Sequence, residues 1–346
     1  MADVGRAAQV SAQTVSRFYT GGYVSAETKG RIERAVRELG YRHSRLPQIL
    51  RAQHTDTIGF LAMGPLNFGN TGILTGISRA ARAEGQSLLT AQLDLDPDAP
   101  STRGEVRRAL GNFTSMRVDG IVVGTPYLGV ETVLEDIGAS VPVVSLSERA
   151  TGGVTSVHAD SYGAARLGTR HLLDLGHRRI LHLAGPGNRN EASERVRGYR
   201  DELAAHDVDE LPLLHCAEWD AQSGAAAAEA ADPATFTGVL SANDEIALGF
   251  VSVLRERGFS APADFSIVGI DDMPEATFFS PPLTTSRLDF EALGETAFRL
   301  LLDQIRGTSA ASRVLPSTLT VRSSTRALDG RPSDSGVAPA ADLPAG

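Results

Sequence analysis

The chain of 346 residues is poor in the residue types that several kinds of chemistry require. Its one cysteine, Cys216, cannot close an internal disulfide and offers no thiolate cluster for zinc. Its one lysine, Lys29, lies near the N-terminus, so the body has no amine for a Schiff base or for activating a serine. No run approaches the ~20 apolar residues of a membrane span, and no apolar signal core follows Met1. Export, membrane insertion and a zinc-finger architecture are therefore poor readings, and a reducing cytoplasm is the expected location. Two glycine-rich strings are incomplete: 185–187 lacks the dinucleotide fingerprint, and 64–65 lacks the lysine of a phosphate loop. His158, His171, His177 and His182 show no metal-ligand spacing. Carboxylate pairs such as Asp94 with Asp96, or Asp271 with Asp272, resemble a glycosidase only in number. Neither a metal, a cofactor nor an enzymatic activity is expected.

Charge is unevenly distributed. Residues 1–55 hold nine basic and four acidic side chains, a balance of +5, which leaves −14 on the rest of a chain whose net charge is −9. A short basic head on a long acidic body suggests that the head meets nucleic acid. Three short helical patterns fit the head. The first covers about 3–8; Ser11 caps the second over 12–19; Ser25 caps a third in which Ile32, Val36 and Leu39 recur until Gly40 ends it. Two helices joined by a tight turn and braced by a third form a helix-turn-helix, whose second helix enters the major groove. Val15 and Phe18 then face inward. Gln13 suits an adenine edge, Arg17 a guanine edge and Ala12 a thymine methyl, while Thr14 and Ser16 suit phosphates.

The string DVGRAAQVSAQTVSR at 3–17 and the segment from Val24 to Tyr41 resemble the DNA-reading head of the LacI/GalR family of transcriptional regulators. Gln9 stands where that family has a turn glycine and Gly5 where it has a helix alanine. The chain also starts a few residues late in the pattern, which implies a start further upstream. By the resemblance, residues 1–43 are the DNA-binding domain and Tyr23 is a further DNA contact. Residues 44–55 are then a hinge, folded as a helix only when two copies meet on operator DNA. Leu50 is its wedge into the central minor groove, with Pro47 replacing the usual alanine.

From Thr57 onward, short β-branched runs alternate with helical patterns. Strands are expected at 57–62, 87–92, 120–123 and 143–146, then in a second series at 154–158, 179–183, 238–241 and 265–270. Helices fall near 73–84, 101–115, 129–138, 161–175, 192–206, 221–231, 245–257 and 289–306. The fold class is α/β: an all-α head plus a two-lobed core of parallel sheets, with a ligand cleft at the carboxyl ends of the strands. GHRRI at 176–180, LAGP at 183–186, SAND at 241–244, VGIDD at 268–272 and PPLTT at 281–285 extend the family resemblance. It implies a core like a periplasmic sugar-binding protein over 56–328. Its first lobe would be about 56–152 and 288–316, its second about 153–287 and 317–328.

The family's effector contacts carry over onto Arg195, Trp219, Asn243, Asp271 and Phe290, joined by Met63 and Ser147. Asn67, Gly69, Asn70, Gly124 and Leu288 are lining positions that differ from a lactose-responsive member. Ser147 replaces a carboxylate there, which removes one acceptor for a sugar hydroxyl and points away from a galactoside. A carboxylate, an amide and a guanidinium can satisfy ring hydroxyls, while two aromatic faces cover C–H surfaces. Residues 329–346, rich in Ala, Pro and Gly, cannot bury enough area to order themselves and carry no leucine heptads. The expected molecule is a sugar-responsive dimeric repressor of a palindromic operator. The alternative is a sugar-binding protein whose degenerate head no longer grips DNA.

Overall fold

The computed structural model describes residues 1–41, 54–96, 99–124, 127, 129–149, 152–309 and 311–328. Leu50 and Pro47 of the hinge, and the tail from 329, lie outside them. The described chain divides into two units, residues 1–55 and 56–346.

In the first unit, helices α1 (Ala2–Ala7), α2 (Ala12–Tyr19) and α3 (Ala26–Glu38) enclose Val4, Ala8, Val15, Ile32 and Ala35. Ser11 caps α2 by accepting from the Thr14 amide at 3.0 Å, and Ser25 caps α3 through the Thr28 amide. Leu39 does not join this core; it is the C-cap of α3, beyond the last buried turn, and is half exposed. Two helix ends are closed in the same way. Tyr41 donates to the Val36 carbonyl and Gly40 to Arg37; likewise Val10 donates to Gly5 and Gln9 to Arg6. The residue after each helix takes positive φ, 58° at Gly40 and 55° at Gln9. Glycine adopts that conformation without strain, whereas glutamine loses roughly 1 kcal/mol. Gln9→Gly should therefore stabilise the head by about 0.5–1 kcal/mol, read as slower amide hydrogen exchange in α1 and α2 of the full chain. Gly5, by contrast, is not merely a weak helix former. A Cβ there would lie 2.8 Å from the Val10 carbonyl oxygen, so its small size lets the turn fold back onto α1.

The second unit contains two six-stranded sheets. The first has β1 (Thr57–Met63) between β2 (Ser87–Leu93) and β3 (Gly120–Gly124), followed by β4 (Val143–Leu146) and β5 (Thr155–Ala159). The second places β8 (Gly238–Ser241) between β6 (Ile180–Ala184) and β9 (Ser266–Asp271). β7 (Leu214–His215) forms one edge, and β10 (Thr284–Arg287) lies beyond β9. β11 (Arg313–Leu315) completes the first sheet and β12 (Thr318–Thr320) the second; β12 pairs antiparallel, the other pairings being parallel. One expectation is corrected here. The strand expected at 154–158 to open the second lobe belongs to the first sheet, where β5 pairs with β4 and β11. The first crossing between lobes therefore follows Ala159, not residue 152.

Helices pack on both faces of each sheet, and glycines let two pairs approach closely. α4 (Phe68–Ala83) meets α11 (Phe290–Ile305): a Cβ on Gly76 would lie 2.0 Å from the Glu291 carbonyl, and one on Gly294 2.2 Å from that of Ile73. In the second lobe, Gly224 of α9 (Ala221–Ala230) and Gly249 of α10 (Asp244–Glu256) face each other's helix in the same reciprocal way. Among the described residues, no helix is long and apolar enough to cross a membrane.

Candidate functional sites

The head presents α2 outward. Ala12, Gln13 and Arg17 are exposed, while Thr14 and Ser16 are half-buried on its flank. The Thr14 hydroxyl is 2.9 Å from that of Ser11, so it belongs to the cap as well as to the surface. Tyr23, 89% exposed, follows the turn and rests on no core. Such exposure has no packing rationale in a small domain, and it leaves the ring free to meet a partner.

In the core, the carboxyl ends of both sheets border one cavity with about 710 Å³ of free space, solvent at its mouth included. Met63 ends β1 and Asp271 ends β9. Asn243 precedes α10, Phe290 opens α11, and Arg195 stands on α8 (Asn190–Ala204). Arg195 is 4% exposed. It donates to the Ala242 carbonyl, lies 3.4 Å from Asp271, and sits over the Trp219 ring at 4.9 Å. Asp271 has φ of 117°, a strained backbone for aspartate, which aims its carboxyl into the cleft. Burial pushes that carboxyl up to about 7, against the opposing pull of Arg195. Asn243 makes two bonds at the cavity wall. Its oxygen caps α10 through the Ile246 amide at 2.8 Å, and its nitrogen donates to the Trp219 carbonyl at 3.0 Å. Gly185 makes room for the indole, since a Cβ there would lie 2.4 Å from the ring. Phe290 is held by Gly69 and Gly72 and by the edge of Phe68 at 5.9 Å between centroids. Asp244 is different: buried and bonded to Thr285 and the Met273 amide, it braces β9 and β10 without facing the cavity.

Six of the seven expected effector residues thus meet at one place. Ser147 does not. Its hydroxyl is bound to Asn190 at 3.0 Å and to the Arg149 amide at 3.1 Å, and it is not among the residues that line the cavity. Gly124 is also absent from the lining, as is Leu288. Sequence reasoning missed Glu148, Ser161, His158, Arg189 and Glu191, all of which line the cavity. Glu148 returns the carboxylate that Ser147 was taken to remove, one residue further along. Burial raises it to about 8; the Ser161 hydroxyl bond opposes this and the charge of Glu191 adds to it. Alternation could have revealed it, because Leu146 and Glu148 share a face that Ser147, between them, does not. Glu191 was likewise legible as the i−4 neighbour of Arg195 on one helix.

Comparison with known proteins agrees with this fold. Residues 1–44 match the family model described as bacterial regulatory proteins, lacI family, and residues 169–325 match a periplasmic binding protein-like domain. The HTH-type transcriptional regulator AscG of Escherichia coli (strain K12) is 32% identical over 310 residues, covering 87% of this chain and 90% of its own. A crystal structure of the lac repressor dimer bound to operator and an anti-inducer superposes with a TM-score of 0.84 at 30% identity. That match covers 94% of this chain and 98% of the other. The complex of the transcriptional regulator CelR with cellobiose gives a TM-score of 0.70 at 28% identity, over 93% and 98%. These relatives are transcriptional regulators, not enzymes. A DNA-reading head, a two-lobed core and a relative of this identity along nearly the whole chain place the protein in the LacI family of DNA-binding transcriptional regulators.

Proposed function

We propose that this chain is a homodimeric repressor that two-fold operator DNA binds through the major groove and through Leu50 at its central minor groove, and that a sugar in the interlobe cavity controls it. In this reading Ala12, Gln13, Arg17 and Tyr23 face the bases or their edges, and Thr14 and Ser16 the phosphates. Residues 1–43, 44–55 and 56–328 serve as reader, hinge and sensor, in the cytoplasm and with no membrane partner. The observation that carries it is the convergence of Arg195, Asp271, Asn243, Trp219 and Phe290 on one cavity between lobes. Two aromatic faces beside a guanidinium and carboxyls suit a polyol. Glu148 and Glu191, one from each lobe, favour hydroxyl or amine donors over a sugar acid. That CelR holds cellobiose supports a glucoside or a related neutral sugar.

Trp219 reports directly. Its fluorescence, titrated with mono- and disaccharides, should shift for one class of sugar, and that sugar should alter operator retention in a gel shift at stated salt. A sugar that binds while no promoter fragment is ever retained would leave only a sugar-binding protein. Acidity should modulate the response. Sugar hydroxyls donating to Glu148 and Asp271 favour their ionised forms, so binding releases protons. Affinity should rise by about tenfold for each group discharged between pH 6 and pH 8.5. Without sugar the sign reverses: carboxyls raised to about 8 and about 7 stabilise the fold while protonated, and that stability is lost as pH climbs through those values. Glu148→Gln should flatten the upper part of the affinity profile. An affinity independent of pH in the wild type would refute the role of these two groups.

A further inference from the structure

We propose that Arg189 is the clasp of the cleft, a positioning residue that holds the lobes closed beside the sugar. The proposal rests on the sugar-controlled reading for its consequence, but not for its geometry. Arg189 belongs to the second lobe, just before α8, and is 6% exposed. Its backbone is anchored there: the amide donates to Pro186 at 3.1 Å and the carbonyl accepts from the Ser193 amide at 3.2 Å. Its guanidinium, however, reaches across into the first lobe. The Cζ atom lies 4.4 Å from the centroid of the Tyr127 ring, and Nη1 is 3.4 Å from the Met63 carbonyl.

The first lobe supplies a socket for it. Gly64 has φ of 92°, and a Cβ there would fall 2.1 Å from Nη2 of Arg189, so only glycine leaves the seat open. The Gly64 backbone is fixed by its amide on the Leu93 carbonyl at 2.7 Å and by Gln92 on its own carbonyl at 3.1 Å. Tyr127 is 1% exposed; its hydroxyl donates to the Leu93 carbonyl at 3.0 Å and accepts from the Leu95 amide at 3.1 Å. A flat cation over a rigid aromatic ring, removed from water, is a favourable contact. The next residue adds a second bond across the gap, Asn190 to Ser147. Arg189 and Glu191 also line the sugar cavity, so whatever fills it touches the same short segment that spans the lobes. Lobe closure and ligand occupancy are thereby coupled through one loop.

The test compares full-length variants by small-angle X-ray scattering without ligand, then by Trp219 titration with the same panel of mono- and disaccharides. Arg189→Ala should enlarge the radius of gyration of the free protein and weaken apparent sugar affinity about tenfold, since less of the population is closed. Saturating sugar should restore the compact form. Tyr127→Leu, which removes the ring, should do the same, and Tyr127→Phe, which keeps it, should behave as wild type. Combining Arg189→Ala with Tyr127→Leu should add nothing to either alone. If Arg189→Ala fails to fold, the Tyr127 pair decides. An unchanged radius in both Arg189→Ala and Tyr127→Leu overturns the clasp. So does a loss of affinity with no change in the free shape, which would make Arg189 only a ligand contact. Should no sugar bind the wild type, the proposed function fails while the scattering still decides the clasp.

Discussion

Arg195→Ala is expected to destabilise the core by about 3 kcal/mol and to abolish the effect of sugar on operator retention. The guanidinium is almost wholly buried and serves three neighbours at once: the Ala242 carbonyl, the Asp271 carboxylate and the Trp219 face. Removing one partner of a buried pair leaves the other charge without compensation, which typically costs about 3–5 kcal/mol. Here the lower end applies, because Asp271 already titrates near 7 and can escape by taking a proton. That escape sets the pH dependence. With Arg195 gone the carboxyl moves further up, so the variant should lose more stability at pH 8.5 than at pH 6. Urea denaturation at both pH values measures the difference, and adding Asp271→Asn should recover much of it. A loss below about 1 kcal/mol, equal at both pH values, would mean that the pair is not energetically coupled.

Most of the architecture was legible because it rests on local pattern. β-branched runs bounded by turn residues located β1, β3, β4 and β8 to within a residue or so. What was not legible depends on partners distant in sequence. Nothing within residues 154–158 says which sheet they join; β4 on one side and β11, more than 150 residues later, decide it. α4 was expected from 73 and begins at Phe68. Gly69 and Gly72 look like helix breakers in sequence, yet they are the space into which Phe290 packs. The range from 73 leaves these glycines outside the helix, and tertiary contact makes them one of its faces.

The site divides along the same line. Arg195, Trp219, Asn243, Asp271 and Phe290 were reached by resemblance, and the structure brings them together. Glu148 and Arg189 belong to no recurring string, and each becomes visible only once the strand face or the facing lobe is known. Serine at 147 followed by glutamate at 148 keeps a carboxylate in the cavity but moves its origin. Position-by-position transfer from a relative reports that carboxylate as lost. The same reasoning governs the two lobes: a contact such as Arg189 on Tyr127 is a property of closure, so it has no signature in either segment alone.

Arg17→Ala should have the largest effect on DNA. Arg17 is exposed on α2 with its backbone in a regular turn, and its side chain passes over Gly22, where a Cβ would come within 2.4 Å of the Arg17 Cγ. A bidentate bond from arginine to a guanine edge discriminates by about 1–3 kcal/mol, so specific operator affinity should fall roughly 10- to 100-fold. Non-specific binding should change far less, since one phosphate-range charge among nine basic residues of the head accounts for only about one unit of salt slope. Folding should be unaffected, because an exposed arginine of α2 supports no buried neighbour. Competition gel shifts with operator and scrambled duplexes, across a salt series, separate these outcomes. Equal losses on both duplexes would place Arg17 on the phosphates and leave Gln13 as the main base reader of the helix.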